Sequence, residues 1–183
     1  RHPRTDHAAA VASWATHGVA VAASRATLDA PDPAAAMLAD KRAMRAAWQR
    51  KREGLLRGDG GAALRAMAKA EAQALLGEAS YEGDVEGMER AEAAGADVRA
   101  AVYKLRDGSM GGHCTAAFVA ARHNNGAGLR FLVGACGVDP NAVGNTSNGA
   151  TPIHIACCVG HTDAVVVLLA LGADPTLANK YGW

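Results

Sequence analysis

The chain has 183 residues, half of them apolar but only 4% aromatic, and a formal net charge of +1. That length suits one ordinary domain or a short repeat array with a helical extension. The near-neutral balance excludes a global field that would draw the protein to nucleic acid or an anionic membrane. Alanine supplies close to half of the apolar content, which favours close helix packing over a deep core of large side chains. The cysteines Cys114, Cys136, Cys157 and Cys158 form no dense framework, and neighbours such as Cys157 and Cys158 rarely bridge each other. A reducing, intracellular compartment is expected, cytoplasmic or cytoskeletal, with an organelle left open. The run from Ala8 to Ser24 contains Trp14, His17 and Gly18 and is too alanine-rich for a membrane span. The chain starts at Arg1 rather than Met, so a processed or incompletely represented protein is expected, and any targeting segment could have been lost.

Residues 1–72 read as an alanine-rich, partly basic helical extension. Pro31 and Pro33 divide it, and Gly58 to Gly61 divide it again. A weak helix is expected over Asp6 to Leu28 and a stronger one over Ala34 to Leu56. A third, over Ala62 to Leu76, runs on past the end of the extension. In the second helix Met37, Met44, Trp48 and Leu55 share one stripe, flanked by Lys41, Arg42, Arg45, Arg50, Lys51 and Arg52. Two readings stand. The stripe packs on a neighbouring helix, as apolar stripes usually do, or the basic helix from Lys41 to Arg52 meets an acidic protein surface, with Trp48 as an anchor. A calmodulin-type target or a membrane-surface helix is a weaker form of the second. Nucleic acid is not expected, because aromatic interleaving is missing.

From Gln73 onward the chain repeats itself, worn at first and clear at the end. The first copy carries Leu76, Ala79, Gly83-Asp84 and Gly95-Ala96-Asp97. The middle copy carries Thr115, Ala120-Ala121, Leu132-Val133 and Gly137-Val138-Asp139, with one extra residue near Cys136. Asn124 stands there where the last copy has Gly160, and asparagine is the residue besides glycine that tolerates a left-handed conformation. In the last copy Thr151 is placed to cap a helix, Pro152 fits its first turn, and Gly160 ends it. A second helix starts near Thr162, with Ala164, Val165, Leu168 and Leu169 on one face, and Gly172 closes it. Gly149 and Gly182 lie 33 residues apart.

The stretch TPIHIA, followed by GH, LL and GAD at matching offsets, resembles the ankyrin repeat, whose signature is T-P-L-H-x-A. The middle copy departs from it, with Ala116 for the proline and Phe118 for the histidine, and the first copy lacks the signature. Ala79, Ala120 and Ala156 are equivalent positions, 41 and then 36 residues apart. The excess over 33 falls in the connections, eight residues between Asp97 and Thr115 and two between Asp139 and Thr151. The resemblance implies an all-α solenoid of helix pairs with β-turn finger loops, preceded by the helical extension. Repeats are expected over about 73–105, 112–144 and 148–180, with residues 181–183 beginning another.

The clustering of His154, Cys157, Cys158 and His161 invites a zinc reading, but the spacing matches no common zinc pattern. The resemblance instead gives both histidines structural roles in the turn and cap. His113-Cys114 is adjacent in sequence, which does not establish a nucleophile and its base. No phosphate-binding loop, paired-carboxylate motif or nucleophile elbow appears, so no catalytic residue, metal or cofactor is assigned.

What the resemblance implies is binding of other proteins through a concave face and its finger loops. The candidate contacts are Tyr81 and Glu82 in the first copy, Arg122 and His123 in the middle one, and Asn148, Cys158 and Val159 in the last, with Trp48 from the basic helix. Gln73, Gly112, Cys114, Ser147 and Ala150 occupy further positions of that kind. A non-enzymatic scaffold or adaptor subunit within a larger assembly is expected, or else the regulatory portion of a larger enzyme. The last second helix is apolar from Val165 to Leu171, so a further repeat or a stacked partner is expected beyond Trp183.

Overall fold

The computed structural model describes residues 33–104 and 112–183. The weak helix expected over Asp6 to Leu28 lies outside the described residues, as does the middle of the longer connection, 105–111. The helices are α1 (Pro33–Leu55), α2 (Gly58–Ala66), α3 (Lys69–Glu82), α4 (Val85–Ala93), α5 (Ala116–Arg122), α6 (Gly126–Leu129, continuing as a π-helical stretch Arg130–Ala135), α7 (Pro152–Val159) and α8 (Thr162–Ala170). Two short strands, β1 (Ala101–Tyr103) and β2 (Cys114–Thr115), pair antiparallel in the finger region. Three helix pairs, α3–α4, α5–α6 and α7–α8, stack side by side. First helices pack on first helices, and α6 packs on α8.

The core lies between the pairs. Leu76, Met88, Phe118, Leu129, Leu132, Ile155 and Leu168 are all fully buried. Neither helix of a pair can hide these side chains alone, so stacking supplies the apolar burial that holds the array together. Each second helix begins on a cap. Asp84 accepts from the Gly87 amide at 3.0 Å, and Asn125 accepts from the Gly128 amide at 2.7 Å. In the last pair the cap crosses between repeats, and Asn124 Oδ1 accepts from the Ala164 amide at 3.1 Å. Asn124 itself is left-handed, with φ 55°, matching Gly160 at φ 83° in the next repeat.

The one extra residue near Cys136 is absorbed inside α6. The helix widens over Arg130–Ala135, and the Cys136 amide reaches the Phe131 carbonyl at 2.9 Å, an i to i−5 bond. The insertion therefore bulges the helix without shifting the following turn.

Two expectations for the extension change. The glycines Gly58 to Gly61 do not break the chain, since α2 starts on Gly58 and the break falls at Leu56-Arg57. The third helix is also two helices, separated at Met67-Ala68, where both residues are extended. Only α3 belongs to the first repeat, and the Glu71 carboxylate accepts from the Ala68 amide at its start.

The long helix α1 does not stand apart. It crosses the second-helix side of the stack and touches all three pairs. Trp48 is buried edge-to-face on Phe131 of α6. Met44 lies against Gly134, where any side chain would collide with it. Met37 and Lys41 lie beside Gly172 after α8, and Arg45 beside Gly137 after α6. At the other end Lys51 pairs with Glu89 at 2.5 Å and Arg52 with Glu92 at 2.9 Å, both on α4.

Candidate protein-interaction face

Equivalent dipeptides mark the ends of the first helices α3, α5 and α7, Tyr81-Glu82, Arg122 with its cap His123, and Cys158-Val159. Stacking aligns them in one row. Tyr81 and His123 meet across the first and second repeats, ring centroids 4.3 Å apart and planes tilted by 51°. Tyr81, Glu82, Cys158 and Val159 are exposed, whereas Arg122 and His123 are half-buried. His161 locks the row to the third repeat through Nε2, 2.9 Å from the Arg122 carbonyl. A carbonyl only accepts, so Nε2 carries the proton.

The other histidine of the repeat works similarly. His154 Nε2 lies 2.8 Å from the Trp183 carbonyl and must donate to it. Its Nδ1 then accepts from the Thr151 amide at 3.2 Å and faces the Thr151 hydroxyl at 2.8 Å. The Thr151 hydroxyl thus engages a ring. Thr115, with Phe118 in the histidine's place, caps directly by accepting from the Phe118 amide at 3.3 Å. Both ring nitrogens of His154 are occupied by structure. Among the described residues no three His, Cys, Asp or Glu side chains gather as a metal site.

The fingers are tied in series. β1 pairs with β2, and Cys114 bridges to Asn145 of the next finger. The Thr115 amide donates to the Gly144 carbonyl at 2.8 Å and the Thr146 amide to the His113 carbonyl at 3.0 Å. Asn148 sits in the last of these turns with its side chain engaged, Oδ1 accepting from the Ala150 amide at 3.0 Å. Cys114 and Ala150 are buried, so they face the fingers' interior rather than a partner. Burial, only partly offset by the nearby Arg122 charge and the Asn145 hydrogen bond, pushes the Cys114 thiol up to about 11.

Gln73 is committed as well. It accepts from the Asp97 amide at 2.8 Å and donates to the Tyr103 hydroxyl at 2.7 Å. Tyr103 was not singled out from the sequence. Its ring fills the space left by Gly77, and burial raises its phenol pKa. It lies in the eight-residue insertion, where the repeat pattern offers no register, and an isolated tyrosine there was the only signal.

Trp48, a candidate partner anchor by sequence, is 6% exposed and turned into the chain's own α6. Part of the basic helix also meets its acidic counterpart within the chain, in Glu89 and Glu92. No helix among the described residues is long and apolar enough to cross a membrane.

Stacked helix pairs with fingers tied edge to edge define a repeat solenoid of the protein-binding kind. The family model for ankyrin repeats (3 copies) matches residues 75–179, and the chain belongs to the ankyrin repeat family. It is also similar to the NAD-dependent deacetylase sir2B of Dictyostelium discoideum, 38% identical over 63 residues. That stretch covers 33% of this chain and 8% of that protein's length. The repeats are a protein–protein interaction module, and ankyrin repeats are a non-catalytic interaction fold.

Proposed function

We propose that the chain is a scaffold or adaptor within a larger assembly, binding a protein partner along the row Tyr81, Glu82, Arg122, His123, Cys158 and Val159. The observation that carries this reading is the Tyr81–His123 ring contact, which joins two repeats into one continuous patch. Aromatic residues and arginine dominate interface energetics, and this row offers both. Val159, 44% exposed, extends the patch with an apolar end. Asn148 contributes through finger shape, because its side chain is already engaged. The compartment that fits such a module is intracellular.

The test is a pull-down comparing the native chain with Tyr81→Ala, Arg122→Ala and His123→Ala, with helicity of each variant checked by circular dichroism. Loss of partner recovery with helicity intact supports the row, and unchanged recovery overturns it. A second reading makes these repeats the regulatory or targeting portion of a larger enzyme. The similarity to a short part of a deacetylase favours it, since that protein combines such a stretch with a named activity. The complete reading frame separates the two.

A further inference from the structure

The second-helix side carries a second surface with its own recognition rule. Seven residues of α-helix rise about 10.5 Å, close to the spacing of about 8–10 Å between packed helices. Along α1, Met37, Met44 and Lys51 are seven residues apart, and they reach the third, second and first repeats in turn. Arg45 and Arg52 follow the same step, onto the second and first. One helix thus reads three repeats in register.

The attachment is shallow. Of the described α1 side chains only Trp48 is buried; the others are half-buried or exposed. Both ion pairs are partly exposed, with the lysine and arginine side chains 54% and 41% accessible. A cleft of about 190 Å³ remains under the helix between Met37, Met44, Arg130, Val166 and Leu171. Leu76, Phe118 and Ile155 are fully buried on the first helices, and α3, α5 and α7 pack on one another through contacts that do not involve α1. α1 packs extensively only along the widened part of α6, and a helix whose side chains stay so largely exposed opens before the buried pairs do.

We propose that α1 is a releasable strap, leaving as a unit while the helix pairs stay folded and uncovering a groove that fits another basic amphipathic helix. The groove supplies carboxylates at Glu89 and Glu92, an aromatic floor at Phe131, and a close approach at Gly134. An incoming helix needs an apolar residue over Gly134, a ring against Phe131, and cations one heptad further on. This surface is separate from the first-helix row, so either can fail without the other.

Hydrogen exchange of the full chain, read by mass spectrometry, tests it. The amides of α1 are expected to exchange at least about ten-fold faster than those of α6 and α8. Their exchange rises between about 0.05 and 0.5 M salt, a range that screens exposed ion pairs, while α6 and α8 do not respond. Lys51→Glu with Arg52→Glu reproduces that release at low salt, and adding Glu89→Lys with Glu92→Lys restores protection. A synthetic peptide of residues 33–57 binds the released Lys51→Glu, Arg52→Glu chain and not the native one. Exchange of α1 and the repeats at one rate with one salt response overturns the strap. Failure of the peptide to bind the released chain overturns the groove. If the charge-reversed chain loses protection throughout α6 and α8, the native salt series decides the strap, and the peptide is tested at low salt on Trp48→Ala, which loosens α1 and leaves the carboxylates of the groove intact.

Discussion

Trp48 and Phe131 meet edge-to-face, ring centroids 5.0 Å apart with planes at 89°, and this pair helps seat α1 on the middle repeat. Edge-to-face geometry sets the positive rim of one ring against the negative face of the other. Both rings are 6% exposed, so their apolar area adds to the electrostatic preference.

Trp48→Ala is therefore expected to loosen α1 at a cost on the order of 3 kcal/mol. The loss cannot exceed the free energy with which α1 docks. In a double-mutant cycle with Phe131→Ala, urea unfolding should return a coupling of about 0.5–1.5 kcal/mol. Strict additivity would show that the rings do not interact.

Gly134 of α6 lies under the Met44 side chain of α1. Any added side chain there collides with Met44. Gly134→Ala should cost little, because the end of the Met44 side chain can turn away. Gly134→Leu should lift α1 and lower stability by about 1–3 kcal/mol. Native-like stability in the leucine variant, measured by thermal unfolding, would place α1 elsewhere.

Asn124 does two jobs, holding φ at 55° and capping α8 through the Ala164 amide. Asn124→Gly keeps the backbone freedom and loses only the cap. Asn124→Ala loses both, so it should be the more damaging by about 1 kcal/mol. Equal midpoints in urea would contradict the backbone half of this argument.

Two thiols drawn out of water, Cys114 buried and Cys136 half-buried, predict an alkaline weakness. Burial first, and Glu92 second, push the Cys136 thiol from its ordinary 9.0 up to about 12. Cys114 is pushed to about 11. Between the ordinary and the raised values the unfolded chain loses these protons while the folded one keeps them. The folded state then binds more protons, so stability is full below about pH 9 and falls as pH rises toward 11 and 12. Lysines and tyrosines also titrate there, so the comparison between variants isolates the thiol. Cys136→Ala should flatten the alkaline limb of a stability–pH curve relative to the native chain, and a limb of unchanged slope would refute the link.

The repeat was legible because its signals are local. Thr151, Pro152, Gly160 and Gly172 mark helix ends through backbone rules that operate over a few residues, and Ala79, Ala120 and Ala156 give the alignment. The extra residue near Cys136 was visible as well, but not its outcome. Whether it would lengthen the turn or widen the helix depended on which side chains α6 must keep buried against its neighbours. The row Tyr81, Glu82, Arg122, His123, Cys158 and Val159 came from equivalent positions, whereas the Tyr81–His123 contact needed the diagonal offset between stacked helices.

The sequence by itself determined three helix pairs, several of their ends, and a basic helix with an apolar stripe. Tertiary structure decided what that stripe was for. The contacts of the stripe and its flanking cations run from residues 37–52 to positions 89, 92, 131, 134 and 172. No local rule spans such separations. An amphipathic helix shows that it must bury a face, and only the assembled stack, with its pitch near seven helical residues, shows where.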